Sequence, residues 1–164
     1  MTNYRDSAIT STTLTRANNS TPYTANDVVS TTVGSVLTFS NATKLPGSNV
    51  IVINANIMIN IDAVPSGMDG FNIHLYSSEP TAIADNEPFN LISDDRDKYL
   101  GYVSLSSPND FGDTVYIQTV NTNKIIKLYN SPTVYGILQT IDAYTPTPED
   151  VFKISLGILG VIGV

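Results

Sequence analysis

"VIVINANIMINI" (50–61) sets the reading of the whole chain. Its odd positions, Ile51, Ile53, Ala55, Ile57, Ile59 and Ile61, are all apolar, and its even positions include Asn54, Asn56 and Asn60. Side chains on a strand alternate between two faces, whereas an amphipathic helix needs apolar residues three and four apart. Branched apolar residues on one face and asparagines on the other predict a long, half-buried strand.

The same period of two extends outward from this stretch. "FNIHLYS" (71–77) sets Phe71, Ile73 and Leu75 inward and Asn72, His74 and Tyr76 outward. Further strands are expected at Ser35–Phe39, Tyr99–Ser106, Thr114–Val120, Lys124–Asn130, Thr133–Tyr144 and Phe152–Leu159. Pro and Gly punctuate these runs in "VPSGMDGF" (64–71) and "SSPNDFGDT" (106–114), which supply turn chemistry. A helical turn is expected only in "ISDDRDKYL" (92–100), with Ser93 as the cap and acidic residues in the first turn. Closely spaced strands with no helices between them predict an all-β, single-domain β-sandwich, jelly-roll-like.

The two ends of the chain differ from its middle. Residues 1–34 are the most polar part, nearly neutral, with scattered Ile9, Leu14, Tyr23, Val28 and Val29. Disordered segments carry high net charge and few apolar groups. The expectation is therefore an ordered, extended N-terminal arm with one or two strands, leading into a sandwich over 35–164. The run from Ile154 to Val164 is almost wholly apolar but too short to cross a bilayer as a helix. A buried strand is expected there.

Composition narrows the function. Charged residues are only 14% of the chain, about half the usual share. Ser, Thr and Asn supply 51 of 164 residues, so much of the surface is neutral and polar. A net charge of −7 argues against nucleic acid as a partner, because that affinity comes largely from Lys and Arg. No basic leader precedes an apolar stretch, so neither a secretory signal nor membrane attachment is expected. With no cysteine and one histidine, disulfides, thiolate metal sites and paired-histidine zinc sites are excluded.

Little catalytic chemistry is visible. His74 lies mid-strand, and no Gly-x-Ser-x-Gly elbow accompanies it. Phosphate loops and zincin motifs are absent too, so no enzyme activity and no cofactor are expected. The acidic stretch from Glu79 to Lys98 offers Asp85, Glu87, Asp94, Asp95 and Asp97 as candidate Ca²⁺ ligands. Their spacing does not match an EF-hand, and solvated loop carboxylates are the alternative reading.

Three segments carry a family resemblance. "TLTRANNSTPYTANDVVS" (13–30) resembles a segment near the start of small structural proteins of tailed bacteriophages. That segment reads Thr-Arg-Pro, then Thr-x-Tyr, then Ala/Gly-Asp-Val-Val. Ala17 stands here where proline is frequent, and Asn26 where glycine is. "SGMDGFNIHLYSSEPTAIADNEPFNLISDDRDKYLGYVSL" (66–105) is similar to the same proteins' His-Leu-Tyr, Pro-Thr-x-x-x-Asp-Asn-x-Pro-Phe and Asp-Arg-x-x-Tyr-Leu-Gly run. "TVYGILQTIDAYTPTP" (133–148) extends the likeness. The resemblance implies a virion protein assembled in host cytoplasm, most simply a head decoration or cement protein. The implied partners are the major capsid protein or another virion protein, and further copies of itself, a trimer suiting capsid threefold sites. Thr15, Arg16, Asn18, Asn19 and Tyr23 are the expected partner contacts. A carbohydrate- or host-surface-binding module, using loop aromatics such as Tyr76 or Tyr102, is the alternative.

Overall fold

The computed structural model describes residues 6–44 and 46–161. The last three residues of the apolar C-terminal run and the first five of the expected arm lie outside them. Ten strands follow in chain order: β1 (Asp6–Thr15), β2 (Val28–Val29), β3 (Leu37–Phe39), β4 (Asn49–Ile59), β5 (Gly70–Tyr76), β6 (Tyr99–Ser106), β7 (Asn109–Asp110), β8 (Val115–Lys127), β9 (Val134–Thr140) and β10 (Val151–Val161). A short 3₁₀ helix, Ser93–Lys98, precedes β6.

The strands form two antiparallel sheets. The first runs β1-β10-β4-β8-β7 and the second β2-β9-β5-β6, with β3 pairing the other end of β9. Setting aside the two-residue β2 and β7, the orders are β1-β10-β4-β8 and β3-β9-β5-β6. Eight strands interleaved this way between two sheets make a jelly roll. The expected all-β sandwich is the observed fold.

Between the sheets lies one core. Ile57, Ile59, Ile117, Ile154 and Leu156 point inward from the first sheet, facing Phe71, Ile73, Leu75, Leu105 and Leu138 of the second. Phe71 meets Phe152 edge-on at 5.6 Å between ring centroids, and Tyr144 at 6.2 Å. Burying each such side chain contributes about 1.5–3 kcal/mol, and edge-on aromatic pairs add roughly 0.5–1.5 kcal/mol.

The strand at 50–61 departs from its simple reading. Its inward residues are Ala55, Ile57 and Ile59, as expected, but further back they are Val50 and Val52 rather than Ile51 and Ile53. The phase flips at Ile53. On β10, Ile158 faces Val52 and the adjacent Gly157 faces Asn54, leaving Ile53 with no opposite number. On β8 the same step spans Asn121–Asn123. Asn121 and Asn123 take left-handed backbone there (φ 59° and 47°), a conformation asparagine tolerates. Thr122 donates its hydroxyl hydrogen to the Val52 carbonyl and ties the two irregularities together. The runs 114–120 and 124–130, expected as two strands, are thus one interrupted strand, β8.

A second departure concerns the outer face of the second sheet. His74 and Tyr76 point away from the core as expected, yet both are buried. The segment 77–92 folds over them, and Val28, Tyr76 and Ile137 form a second apolar cluster with Ile83, Phe89 and Leu91. This cover is laid down like an extra strand. Val28 donates its N–H to Glu87 O, Asn86 to Val28 O, Phe89 to Asn26 O and Asp85 to Thr31 O.

Candidate functional site

Where the cover meets the N-terminal segment, an arginine is completely enclosed. β1 ends at Thr15, and the chain turns across the end of the sandwich, held by Arg16 N–H to Asp150 O and Ala17 N–H to Ser30 O. Arg16 is 2% exposed. A guanidinium has five N–H donors, and each finds an acceptor. Nε donates to the Tyr23 hydroxyl at 3.0 Å. Nη1 donates to the carbonyls of Asn19 and, at 2.9 Å, Thr147. Nη2 donates to Asn19 Oδ1 at 3.1 Å and to Asp85 Oδ2 at 2.8 Å.

Asp85 completes the network. Its Oδ1 accepts the Tyr23 hydroxyl hydrogen at 2.6 Å and the Ser30 N–H at 3.0 Å. Burial, and then the hydrogen bond and charge of Asp85, push the Tyr23 hydroxyl well above its ordinary pKa. Burial alone would lower the Arg16 pKa, but the pull of Tyr23 and then Asp85 outweighs it, and the net shift is upward. Tyr144 packs on Tyr23 at 5.1 Å. The assembly is a fastener: a proton held on Tyr23, a fixed cation on Arg16, and an anion with donors on both oxygens.

His74 sits in a second polar node, under the cover. Its Nε2 lies 2.9 Å from Gln139 Oε1 and its Nδ1 2.9 Å from the Tyr99 hydroxyl. The amide oxygen can only accept, so Nε2 carries the proton and Tyr99 donates to Nδ1. The ring stacks on Phe89 at 3.7 Å between centroids. Burial holds its pKa below the usual value, with the Gln139 bond opposing. Neither ring nitrogen is hydrogen-bonded to a carboxylate or a serine.

The expected site residues divide accordingly. Arg16 and Tyr23 are turned into the chain's own interior, because their polar ends complete the buried network. Thr15 and Asn18 are exposed, and Asn19 is half-buried beneath Arg16. The five candidate Ca²⁺ ligands do not converge. Asp85 is engaged as above, and Asp95 accepts from Thr81 N–H and from Lys98, each at 2.9 Å. Asp94, Asp97 and Glu87 are exposed. Among the described residues no group of three potential metal ligands comes together. Ser93 makes no capping bond; its hydroxyl turns to Asp94, and the Asp95 N–H is taken by the Ile92 carbonyl. Tyr76, considered for sugar stacking, is buried, whereas Tyr102 is exposed. A shallow cleft of about 320 Å³ lies along the cover, lined in part by Thr81, Ile83, Glu87, Asn90 and Asp95. No helix among the described residues is long and apolar enough to cross a membrane.

No protein-family model and no curated protein matches the chain. Among solved structures it is similar to a chain from the capsid of Ralstonia phage GP4. That match has 12% identity and a TM-score of 0.42, covering 98% of this chain and 86% of the other. It is also similar to a chain from desmodium yellow mottle tymovirus, at 12% identity and a TM-score of 0.30, covering 100% and 93%. At these scores neither likeness bears on function.

Proposed function

We infer that the chain is a structural protein of a tailed-phage virion, acting on the head surface as a decoration or cement protein through protein–protein contacts. One observation carries this reading: the residues that give the sequence its likeness to tailed-phage structural proteins meet in space. Arg16 of the Thr-Arg pair, Tyr23 of Thr-Pro-Tyr and Asp85 of the Asp-Asn pair share one buried network. Tyr144 packs on Tyr23, and His74 of His-Leu-Tyr stacks on Phe89 of Pro-Phe. Motifs produced by composition alone would have no reason to converge from three separate segments. The fold by itself does not choose, since jelly rolls also serve lectins and cupins. The absence of cysteine suits assembly in host cytoplasm, and the major capsid protein or another virion protein is the partner this role requires.

The test is fractionation of infected cells on a density gradient, followed by mixing of purified chain with empty capsids. Stoichiometric comigration with particles and saturable capsid binding are expected. Recovery only from the soluble lysate, with no capsid binding, sinks the reading. A glycan- or host-surface-binding module is the second reading, favoured by the polar cleft at Thr81, Glu87, Asn90 and Asp95. Glycan-array binding that is lost in Asn90→Ala would move the assignment there.

A further inference from the structure

The first sheet ends on one long edge that is straight and almost uncharged, with Ser40, just after β3, beside it: Thr10 Oγ1 donates to the Ser40 carbonyl at 2.7 Å. β1 runs ten residues against β10 without a bulge, and among the described residues no strand pairs its other side. Sheets ordinarily blunt such edges with short strands, charge, proline or bulges. The other edges here follow that rule; β8, paired by β7 only at Val115 and Tyr116, is broken at Asn121–Asn123 and carries Lys124 and Lys127. β2 and β7 have two residues each and β3 has three. β6 is interrupted at Gly101 (φ 89°), where its register against Leu75 and Tyr76 shifts. From Ser7 to Thr15, β1 contains no proline, glycine or charged residue. Ile9 stands outward in this strand and is 85% exposed, because its neighbour on β10 is Gly157, which has no side chain to cover it.

We propose that β1 pairs antiparallel with β1 of a second copy of this chain across a two-fold axis, joining two first sheets into one. An antiparallel edge presents N–H and C=O groups in alternation, so a copy rotated by half a turn matches it. Charge selects the occupant. The chain carries −7 overall, yet β4, β8 and β10 contain no Asp or Glu, and β1 has none beyond Asp6. Two copies meeting at this edge bring no carboxylates together along Ser7–Thr15. Contact through the 79–97 stretch would set acid against acid. Pairing also covers each Ile9 with outward side chains of the neighbouring β1. Ile9 lies diagonal to an apolar row on the outer face, where Leu159, Ile51 and Ile125 lie side by side and Ser7 is the β1 neighbour. The inference is independent of the virion reading and concerns the purified chain in buffer.

Analytical ultracentrifugation of the full chain should show a concentration-dependent dimer. Ile9→Lys combined with Thr13→Lys charges the edge at two outward positions and should abolish it. Ile125→Lys, three strands away on the same face and 70% exposed in the wild type, should leave it intact. In the wild type, alternate β1 amides should gain hydrogen-exchange protection as concentration rises. If the lysine pair does not fold, as judged by circular dichroism, that amide protection decides alone. A monomer at every soluble concentration overturns the proposal, as does a trimer or a dimer that survives the lysine pair. So does a dimer lost in Ile125→Lys, which would mark face-to-face stacking.

Discussion

Arg16 spends a whole guanidinium inside the protein, and the consequence is strong coupling to Asp85. Truncating Asp85 leaves a buried cation with no counter-charge, which costs about 3–5 kcal/mol in comparable buried pairs, while replacing both partners with apolar residues is often close to neutral. Asp85→Ala should therefore lower stability to urea far more than Arg16→Met with Asp85→Leu does. Near-additive losses in that cycle would mean the pair is not coupled. His74 gives a pH signature. Its folded pKa lies below the usual 6.5 because the ring is buried. As pH falls through that value the unfolded chain binds a proton that the folded chain refuses, so stability drops, by at most about 1.4 kcal/mol per pH unit. Asp150 works the other way at lower pH, since burial raises its pKa and the folded form takes up its proton first. Comparing urea midpoints of wild type and His74→Gln isolates the histidine: the wild type should decline below the ordinary histidine range and the variant should not. Neither Arg16 nor His74 was readable as buried from sequence. Each is made so by a segment distant in the chain, Asp85 for one and Phe89 for the other, and local pattern carries no sign of either.

At the level of elements, alternation was legible wherever one parity was apolar and the other polar. Residues 54–61 meet that condition but for Met58, the one apolar residue among the outward positions, and their inward face was as expected. Residues 50–53 are Val, Ile, Val and Ile, so both parities are equally apolar and the pattern leaves the phase open. Cross-strand chemistry fixes it instead. A Cβ placed on Gly157 would lie 2.4 Å from Asn54 Oδ1, so the glycine makes room for the asparagine that follows the bulge. Gly157→Val should destabilise by about 1–3 kcal/mol through overpacking. Most of that loss should vanish in an Asn54→Ala background, as read by thermal unfolding. Equal losses in both backgrounds would place the strain elsewhere. On the second sheet the outward direction of His74 and Tyr76 was legible and their burial was not, because a loop rather than a strand supplies the cover.

For the whole molecule, class and approximate strand positions followed from period and turn spacing, because both are local. Strand order did not, because hydrogen bonding between β1 and β10 leaves no local mark in either segment. The N-terminal stretch shows the difference. It was legible as extended, and its pairing along the full length of β10 emerges only from the assembled sheet. The distribution of charge is likewise a property of the assembled fold: the central strands of the first sheet carry lysines and no acids, while the carboxylates gather in loops and on the cover. The register of Thr15 against Val151 has one more consequence, in time rather than space. Of the described strands β1 is made first, and β10, the one that pairs it among them, is made last. β4 also waits for β10 on one side. The first sheet therefore cannot close until β10 has been made, and until then β1 has its pairing groups open. Folding of this sheet belongs to the moment after synthesis has passed Val161, when first-made and last-made strands can find each other.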